Sequence, residues 1–594
     1  FYTCFIIFNG GDLSIFRFSE IGITGDMFVD KRCSQIGIQY LMSQDFKKVL
    51  VKDSRLMVTD SINYAVFKGG QNMTVAKFNA ISKSSSQLTF NIQVPSEQTI
   101  IDRRVMLHST WQIQITGNVP AVGDYLINVG SQDALAPFPA HQLFSTAQIT
   151  LNNNTVSMNV QDVINAIMRS NDSRELQAYN GMCPVAFDTY LNYSDAVLAN
   201  NNPLGSYVNV SDNDIQPRGA FYIDSITGNT AAATAGEAKT VVIQFSTAEP
   251  LLVSPFIFAD PKSNNQGIYG IQNLNAVFNV GSANRVWRSA NPNITGVSLV
   301  SCQKAELVFN FITGHPSDLM SARNVVPYYE LPRYISQVGS VGVGSQTLPF
   351  NSIQLNQVPD KLIVFCRKQL AYQTANDADA FLPITGIRLN WNNQSGILAS
   401  ATAQDLFRYS RESGYNGTWN EFNGSAWRNA PAGGSGSEVL TSGSMLMLTF
   451  GEHIQITEDW YAPGSLGNFN LQFDVEVENK TGAALANYEI VLITVNSGCF
   501  VCERGTSSIY TGILTRQDVL EASQMEAYGK DDVKRMIGGG WFDVLKSVAG
   551  KVLPKVLPVA KGLLKESDNK FAKMGAEALG AMGYGSSGGK LSKR

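Results

Sequence analysis

Apolar and polar residues alternate along several short segments of this chain. In the clearest segment, 469–478, Phe, Leu and Val occupy every second position, with Asn, Gln, Asp and Glu between them. The same alternation occurs at 88–94, 111–116 and 307–311. Because successive side chains of a strand point to opposite faces, this pattern predicts strands with one buried and one solvated face. Such strands are typical of antiparallel β-sandwiches.

The length of the chain predicts more than one sandwich. Its 594 residues exceed the size at which a single hydrophobic core usually stops growing, so we expect two domains, although no tandem repeat is evident. Helical spacing is rare. One apolar stripe runs over 160–168, with Ser157 or Asn159 placed to cap it, and a second short helix is predicted over 515–528. Stretches rich in Gly, Ser, Asn and Ala predict long surface loops at 227–240, 338–346 and 429–444.

The residue types that usually carry catalysis or bind metals are sparse and scattered. None of the four histidines has a spacing that would converge on a metal, and His453 lies in an alternating segment that predicts a strand. Cys499 and Cys502 form a lone CxxC, and residues three apart on a strand point to opposite faces. No nucleophile elbow, phosphate-binding loop or dinucleotide fingerprint is present. We therefore expect that the chain is not an enzyme and that it has neither a metal site nor a cofactor.

Several motifs follow one another in order along residues 60–510. They are 136–156 (APFPAHQLFSTAQITLNNNTV) with 161–165 (QDVIN), 195–205 (DAVLANNNPLG) with 217–219 (PRG), 389–398 (LNWNNQSGIL), 403–407 (AQDLF) with 414–422 (GYNGTWNEF), and 467–471 (GNFNL). Together, their order and spacing resemble the double jelly-roll major capsid proteins of virophages (Sputnik type) and polinton-like viruses.

The resemblance implies an all-β fold of two eight-stranded jelly rolls with short loop helices and a basic C-terminal tail. We place an N-terminal arm at 42–56, the first jelly roll at 57–315, a linker at 316–324, the second jelly roll at 325–512 and a helical segment at 513–539. The implied function is that of a major capsid protein, located in the virion capsid and assembled inside the infected host cell.

The resemblance also implies partners for the chain. Homotrimers with a pseudo-hexagonal outline would tile the icosahedral shell of a double-stranded DNA virus, next to other capsomers and to penton and minor capsid proteins. Tyr415, Trp419 and Phe422 lie in an Asn-containing segment that we expect to be exposed. Because aromatic anchors dominate many protein interfaces, we predict that these three residues contact a neighbouring chain of the trimer.

The C-terminal region differs in charge from the rest of the chain. Residues 541–594 contain ten Lys or Arg and four Asp or Glu, a net charge of +6, whereas the whole chain has −4. Such a tail is expected to meet an anionic partner, either viral DNA or an inner membrane. Just before it, Met536-Ile-Gly538-Gly539-Gly540 is similar to the site cut by adenovirus-type cysteine proteases. We predict cleavage after Gly539 by a maturation protease, with 540–594 as a removable assembly tail.

The first residues suit neither a capsid domain nor a secreted protein. Residues 1–41 are expected to be non-native upstream translation, because Met42-Ser43 begins a segment of more convincing protein character. The opening apolar run, Phe1 to Phe8, is short and has no basic flank, so it is a poor signal peptide. A secreted β-sandwich adhesin or carbohydrate-binding module, the main alternative, would normally carry one. A β-sandwich hydrolase would need paired carboxylates in a cleft, which the sequence neither reveals nor excludes.

Overall fold

The computed structural model describes residues 4–9 and 12–17, and then 72–170, 222–313 and 323–516 with short internal gaps. Strands β1 (Cys4–Asn9) and β2 (Asp12–Arg17) form an antiparallel hairpin. The predicted arm, most of the linker, nearly all of the predicted 515–528 helix, the glycine motif at 536–540 and the basic tail lie outside the described residues. No helix among the described residues is long and apolar enough to cross a membrane.

The first lobe is a sandwich of two antiparallel sheets. One sheet has the order β10-β9-β13-β5-β4, and the other has the order β11-β12-β7-β15-β3 with β6 beside β15. The elements are β3 (Asn72–Asn79), β4 (Ser82–Lys83), β5 (Gln87–Gln93), β6 (Ile100–Ile101), β7 (Met106–Val119), β8 (Asp133–Leu135), α1 (Pro139–Leu143), β9 (Phe144–Leu151), β10 (Asn154–Met158), α2 (Val160–Arg169), β11 (Tyr222–Thr227), β12 (Glu237–Pro250), β13 (Asn273–Val280), a 3₁₀ turn (Ala283–Arg285), β14 (Trp287–Ser289) and β15 (Ile294–Thr313).

The second lobe is a sandwich of the same kind. Its smaller sheet has the order β18-β25-β20-β21, and its larger sheet has the order β16-β26-β19-β24, with β17 and β27 also paired to β26. The elements are β16 (Arg323–Glu330), β17 (Arg333–Val341), β18 (Gly344–Gln357), β19 (Lys361–Lys368), a 3₁₀ turn (Leu370–Tyr372), β20 (Ile384–Trp391), β21 (Gln394–Ile397), α3 (Ala403–Glu412), α4 (Trp419–Phe422), β22 (Ser425–Arg428), β23 (Ser437–Leu440), β24 (Leu446–Thr449), β25 (Leu466–Asn479), β26 (Leu485–Glu503) and β27 (Thr506–Thr511).

The predicted all-β architecture is therefore confirmed, and so is the inside–outside alternation. On β25, the apolar residues from Phe469 to Val477 are buried and most of the intervening polar residues are exposed. Aromatic rings fill the space between the sheets: the Phe350 and Phe473 rings stack at 4.5 Å, and those of Phe144 and Phe278 stack at 4.9 Å. Short edge strands bring the number of strands above the eight expected for each sandwich. The domain boundaries drawn from the sequence stay predictions.

Two of the local predictions are confirmed only in part. The predicted helix is α2, and Asn159 occupies its N-cap position, but its side chain makes no capping hydrogen bond and Ser157 lies within β10. The stretch at 338–346 is not a long loop. β17 continues to Val341 and β18 begins at Gly344, because the backbone of each strand finds a partner, on β26 and β25 respectively.

The other two predicted loops are shorter than expected as well. The loop that begins at 227 ends where β12 starts at Glu237. The stretch at 429–444 contains β23, while its residues 429–436 lie outside the described part. Small and polar residues alone do not exclude strand pairing, since any non-proline backbone can join a ladder.

A pair of matching hairpins relates the two lobes. Asn152 joins β9 to β10 at a φ of 54°, and Asn392 joins β20 to β21 at a φ of 51°. Each Asn donates its backbone N–H to a carbonyl of the neighbouring strand, Asn273 in the first lobe (2.8 Å) and Asn470 in the second (2.9 Å). Each Asn side chain also accepts from the backbone N–H of that same residue. In both lobes a helix then follows, so the two sandwiches share a local order that the sequence did not reveal.

The hairpin of the second lobe allows a test of the left-handed backbone conformation at Asn392. We expect Asn392→Ala to lower the free energy of unfolding by about 1–2 kcal/mol, because it loses the side-chain bond to the Asn470 N–H and because Ala tolerates the left-handed region less well than Asn. Asn392→Gly loses only the hydrogen bond and should cost less. Chemical denaturation measures both changes, with Asn393→Ala, at the exposed neighbouring position, as the control. Equal effects of Ala and Gly at position 392 would contradict the conformational argument.

Candidate functional site: the junction between the two lobes

The largest cluster of buried charges described in this chain lies between the two lobes. Asp162, on α2 of the first lobe, contacts the guanidinium of Arg367, on β19 of the second lobe. Its other carboxylate oxygen lies 2.5 Å from Nε of Arg333. Nε of Arg367 in turn donates to Glu489 at 2.9 Å. The side chains of Asp162 and Arg367 are each only 1% exposed, so these charges depend on each other and not on water.

A second cluster surrounds Asp379, which the second lobe contributes to the junction. Its carboxylate lies 3.1 Å from Nη2 of Arg288 and 3.6 Å from Nη2 of Arg285, and it accepts a hydrogen bond from Gln142 at 3.1 Å. Burial lowers the pKa of Arg285 to about 10, although Asp379 opposes this shift. Arg285 therefore remains charged at neutral pH, and the pair is an ionic contact within the protein interior.

Arg169, at the end of α2, extends the same contact through backbone carbonyls. Its Nη2 donates to the carbonyl oxygen of Asp379 at 2.6 Å, and its Nη1 donates to that of Gly443 at 3.1 Å. The guanidinium carbon lies 4.2 Å from the centroid of the Phe381 ring, in a cation–π contact. A guanidinium suits this position, because its planar fork can donate to several carbonyls at once.

A third contact joins the β26–β27 hairpin of the second lobe to loops of the first. Oγ of Ser507 donates to the carbonyl of Leu151 at 2.6 Å, and the Ser507 N–H donates to Oδ1 of Asn153 at 2.7 Å. Nearby, the Gly505 N–H donates to the carbonyl of Gly270 at 3.1 Å. Because the lobes are joined by buried ion pairs and by this hairpin, their relative orientation is held at several separate places.

The aromatic residues predicted to contact a neighbouring chain lie close to this junction. Tyr415 and Phe422 are only 2% and 1% exposed, so the expectation that they present free rings at the surface is wrong. The Phe422 ring lies 5.5 Å from that of Phe407 and 5.8 Å from that of Tyr415. Trp419 is half-buried, 5.5 Å from Phe407, and its proposed contact with another subunit stays a prediction.

The local sequence explains why these rings turn inward. Thr418 and Glu421 form a capping box that starts the short helix α4, which places Trp419 and Phe422, three residues apart, on one face of its single turn. The preceding loop touches the first lobe, where the Asn416 N–H donates to the carbonyl of Arg169 at 2.9 Å. The segment that carries much of the family resemblance therefore contributes to a contact within one chain. Sequence spacing gave no signal for this partner.

His453 was expected on a strand, but it lies in a turn after β24. Its Nδ1 accepts from the Thr449 N–H at 3.1 Å, and its Nε2 lies 3.3 Å from a carboxylate oxygen of Glu412. Glu412, Glu452 and His453 lie close enough together to hold a metal. The hydrogen bonds do not suit one, because the N–H facing Nδ1 leaves the proton on Nε2, the atom that would have to bind the ion. This arrangement fits a structural histidine. Glu458 and Asp459, the next carboxylates along the chain, lie outside the described residues.

Cys499 and Cys502 both lie on a strand, β26, as expected from the sequence, and both are 1% exposed. Burial raises the pKa of each thiol to about 12. Nucleophilic attack needs the thiolate, so this role does not suit these two buried thiols.

The junction predicts a large effect of a single isosteric substitution. Asp162→Asn leaves Arg367 and Arg333 without the carboxylate between them, so we expect the free energy of unfolding to fall by about 3–5 kcal/mol. The control is Arg408→Gln, which removes a pair to Asp405 between side chains that are 60% and 39% exposed and should cost less than about 1 kcal/mol. Urea denaturation measures both. Similar small losses for the two variants would show that the buried pairs do not hold the lobes together.

The turn at His453 predicts a dependence of stability on pH. Burial is the main cause that lowers the pKa of His453 below its ordinary value of 6.5. The unfolded chain therefore binds more protons than the folded chain near pH 6.5, and the free energy of unfolding falls as the pH decreases through that region. We expect the melting temperature to fall less between about pH 7.5 and about pH 5.5 in His453→Gln than in the wild type. Identical slopes would contradict this assignment.

Comparison with known proteins agrees with this architecture. Residues 44–313 match the family model described as the Sputnik virophage major capsid protein 1st domain, and residues 331–498 match the major capsid protein V20 C-terminal domain. The putative capsid protein V20 of Sputnik virophage is 29% identical over 574 residues, which cover 91% of this chain and 94% of that protein.

Solved structures show the same similarity. The cryo-EM structure of the Sputnik virophage contains a chain that is 27% identical, with a TM-score of 0.71 and coverage of 82% of this chain and 98% of that one. The crystal structure of the mavirus major capsid protein is 16% identical, with a TM-score of 0.60 and coverage of 80% and 98%, and supports the fold. The chain thus belongs to the Sputnik-type family of double jelly-roll major capsid proteins, and is a structural component of the virion capsid and not an enzyme.

Proposed function

We propose that three copies of this chain form a capsomer with a pseudo-hexagonal outline, and that such capsomers tile an icosahedral shell around double-stranded DNA. The observation that carries this proposal is the pair of similar sandwiches held rigidly by the buried junction. Two similar lobes per chain supply six similar lobes per trimer, so each trimer can take a place with six neighbours. Neighbouring capsomers, penton proteins and minor capsid proteins are the proposed partners, and assembly takes place inside the infected host cell.

The half-buried Trp419 remains the candidate for a contact between the chains of the trimer. Its ring contacts those of Phe407 and Phe422, but the residue is only half-buried, unlike Tyr415 and Phe422. A large aromatic side chain that is already held by its own subunit loses little conformational entropy when it docks against another.

Electron microscopy and sedimentation of the purified full chain test the trimer. We expect particles with a hexagonal outline and the mass of three chains, whereas persistent monomers would contradict the capsomer. Trp419→Ala should shift the equilibrium toward monomers if the ring lies in the contact between chains. Arg408→Ala, at an exposed position on the neighbouring helix α3, serves as the control. A trimer of unchanged stability in Trp419→Ala would remove this residue from the contact.

We further propose that a viral cysteine protease cuts the chain after Gly539 during maturation. The sequence of the motif and the charge of the tail support this, since a protease of this kind needs an extended substrate and glycines enter a narrow cleft easily. Before cleavage, the basic segment 540–594 would contact viral DNA or an inner membrane during assembly.

Mass spectrometry of the protein from mature virions tests the cleavage. We expect the C-terminus to be Gly539, and a chain intact to Arg594 would contradict the proposal. Replacing Gly539 by Val should block the cut while the two lobes still fold, because the motif lies outside them. Deleting 540–594 should lower the yield of particles or change their size, and unchanged assembly would exclude a role for the tail.

A further inference from the structure

Four of the five strands in the smaller sheet of the first lobe carry no charged side chain. Strands β5, β9, β10 and β13 contain no Asp, Glu, Lys, Arg or His at any position. We call the outward side chains of these four strands the neutral face. The fifth strand, β4, adds Lys83, but its ammonium donates to the carbonyl of Gln303 on the other sheet at 2.8 Å.

The neutral face consists mainly of amides and hydroxyls in register. One row crosses the four strands through Thr155, Thr150, Asn275 and Asn91. Asn91 and Asn275 are exposed, and neither side chain takes part in the hydrogen bonds between described residues. The centre of the face therefore presents donors and acceptors that a partner can still satisfy.

The equivalent sheet of the second lobe differs in this respect. Strands β18, β25, β20 and β21 have the same order, but their outward side carries Arg388, Asp474, Glu476 and Glu478. Soluble surfaces usually contain about 25–35% charged residues, while Lys, Glu and Asp are depleted where proteins meet. Because the two sheets share one fold, strand pairing does not require the absence of charge. A contact that covers the neutral face accounts for the absence of charged side chains there.

The chemistry of the face selects among possible occupants. Nucleic acid needs Lys or Arg to neutralise its phosphates, and the four strands have none. A sugar ring usually stacks on an aromatic side chain, but Phe90, Phe144 and Phe278 all point into the core and are buried. Amides and hydroxyls both donate and accept, so an identical face offers a complementary set of partners without any requirement for opposite charge.

We propose that the neutral face binds the neutral face of a second copy of this chain, in a two-fold contact between adjacent capsomers. This inference rests on the proposed function, because the shell supplies the second copy. Four strands spaced by about 4.8 Å, each about seven residues long, cover roughly 400 Å² per copy. A contact of this area binds weakly by itself. It therefore stabilises the assembled shell, where it is repeated many times, and does not hold isolated capsomers together.

Opposite charges placed at one position give a decisive test. Asn275→Lys and Asn275→Asp, each in the full chain, oppose like charges across the two-fold contact. We expect each variant alone to form normal capsomers but to lower the yield of assembled particles at least about tenfold. Equal mixtures of the two should recover most of that yield, because Lys then meets Asp. The matched control is Gln472→Lys, at the equivalent exposed position of the second lobe, which should assemble normally.

The outcomes separate this inference from the proposed function. If the unmodified chain forms no trimers in sedimentation, the capsomer itself is wrong. If trimers form and both Asn275 variants assemble like the wild type, the neutral face is not a contact. If the variants fail and their mixture does not recover, or if the variants lose the trimer itself, the face meets a different surface and the two-fold pairing is overturned.

Discussion

The arrangement of the two lobes depends on the buried ion pairs that Arg367 forms. Arg367 lies between Asp162 of the first lobe and Glu489 of its own lobe, in a place that water does not reach. A buried guanidinium is tolerated only when carboxylates and hydrogen bonds compensate its lost hydration. Either lobe alone would leave part of this charge unpaired, so the junction stabilises the complete chain and ties the orientation of one sandwich to the other.

The two lobes share a backbone design but differ in surface chemistry. The left-handed Asn152 and Asn392 close matching hairpins, and the smaller sheets have the same strand order. The second-lobe sheet bears outward charges such as Arg388 and Glu476, whereas strands β5, β9, β10 and β13 of the first-lobe sheet bear none. Six lobes of similar shape can therefore fill equivalent positions of a capsomer, while their different surfaces allow the contacts around it to differ.

Sequence reasoning reached the fold but only part of the site. Period-2 alternation predicted four of the long strands, and helical spacing predicted α2. The same reasoning failed at 338–346, where it mistook a Gly- and Ser-rich passage between two sheets for a loop. It also treated Tyr415 and Phe422 as exposed, because an aromatic residue in a polar segment has the same sequence signal whether its ring faces solvent or the protein interior.

The sequence by itself determined four of the long strands, the side of each that faces the core, and the absence of charge from four strands of the first lobe. Local periodicity contains that information, because it follows from the geometry of consecutive residues. Only the tertiary structure decided which buried charges meet. Asp162 and Arg367 are 205 residues apart in the chain, and the period of a strand or helix specifies a direction for each side chain but not its partner. The junction between the lobes is therefore a property of the folded chain.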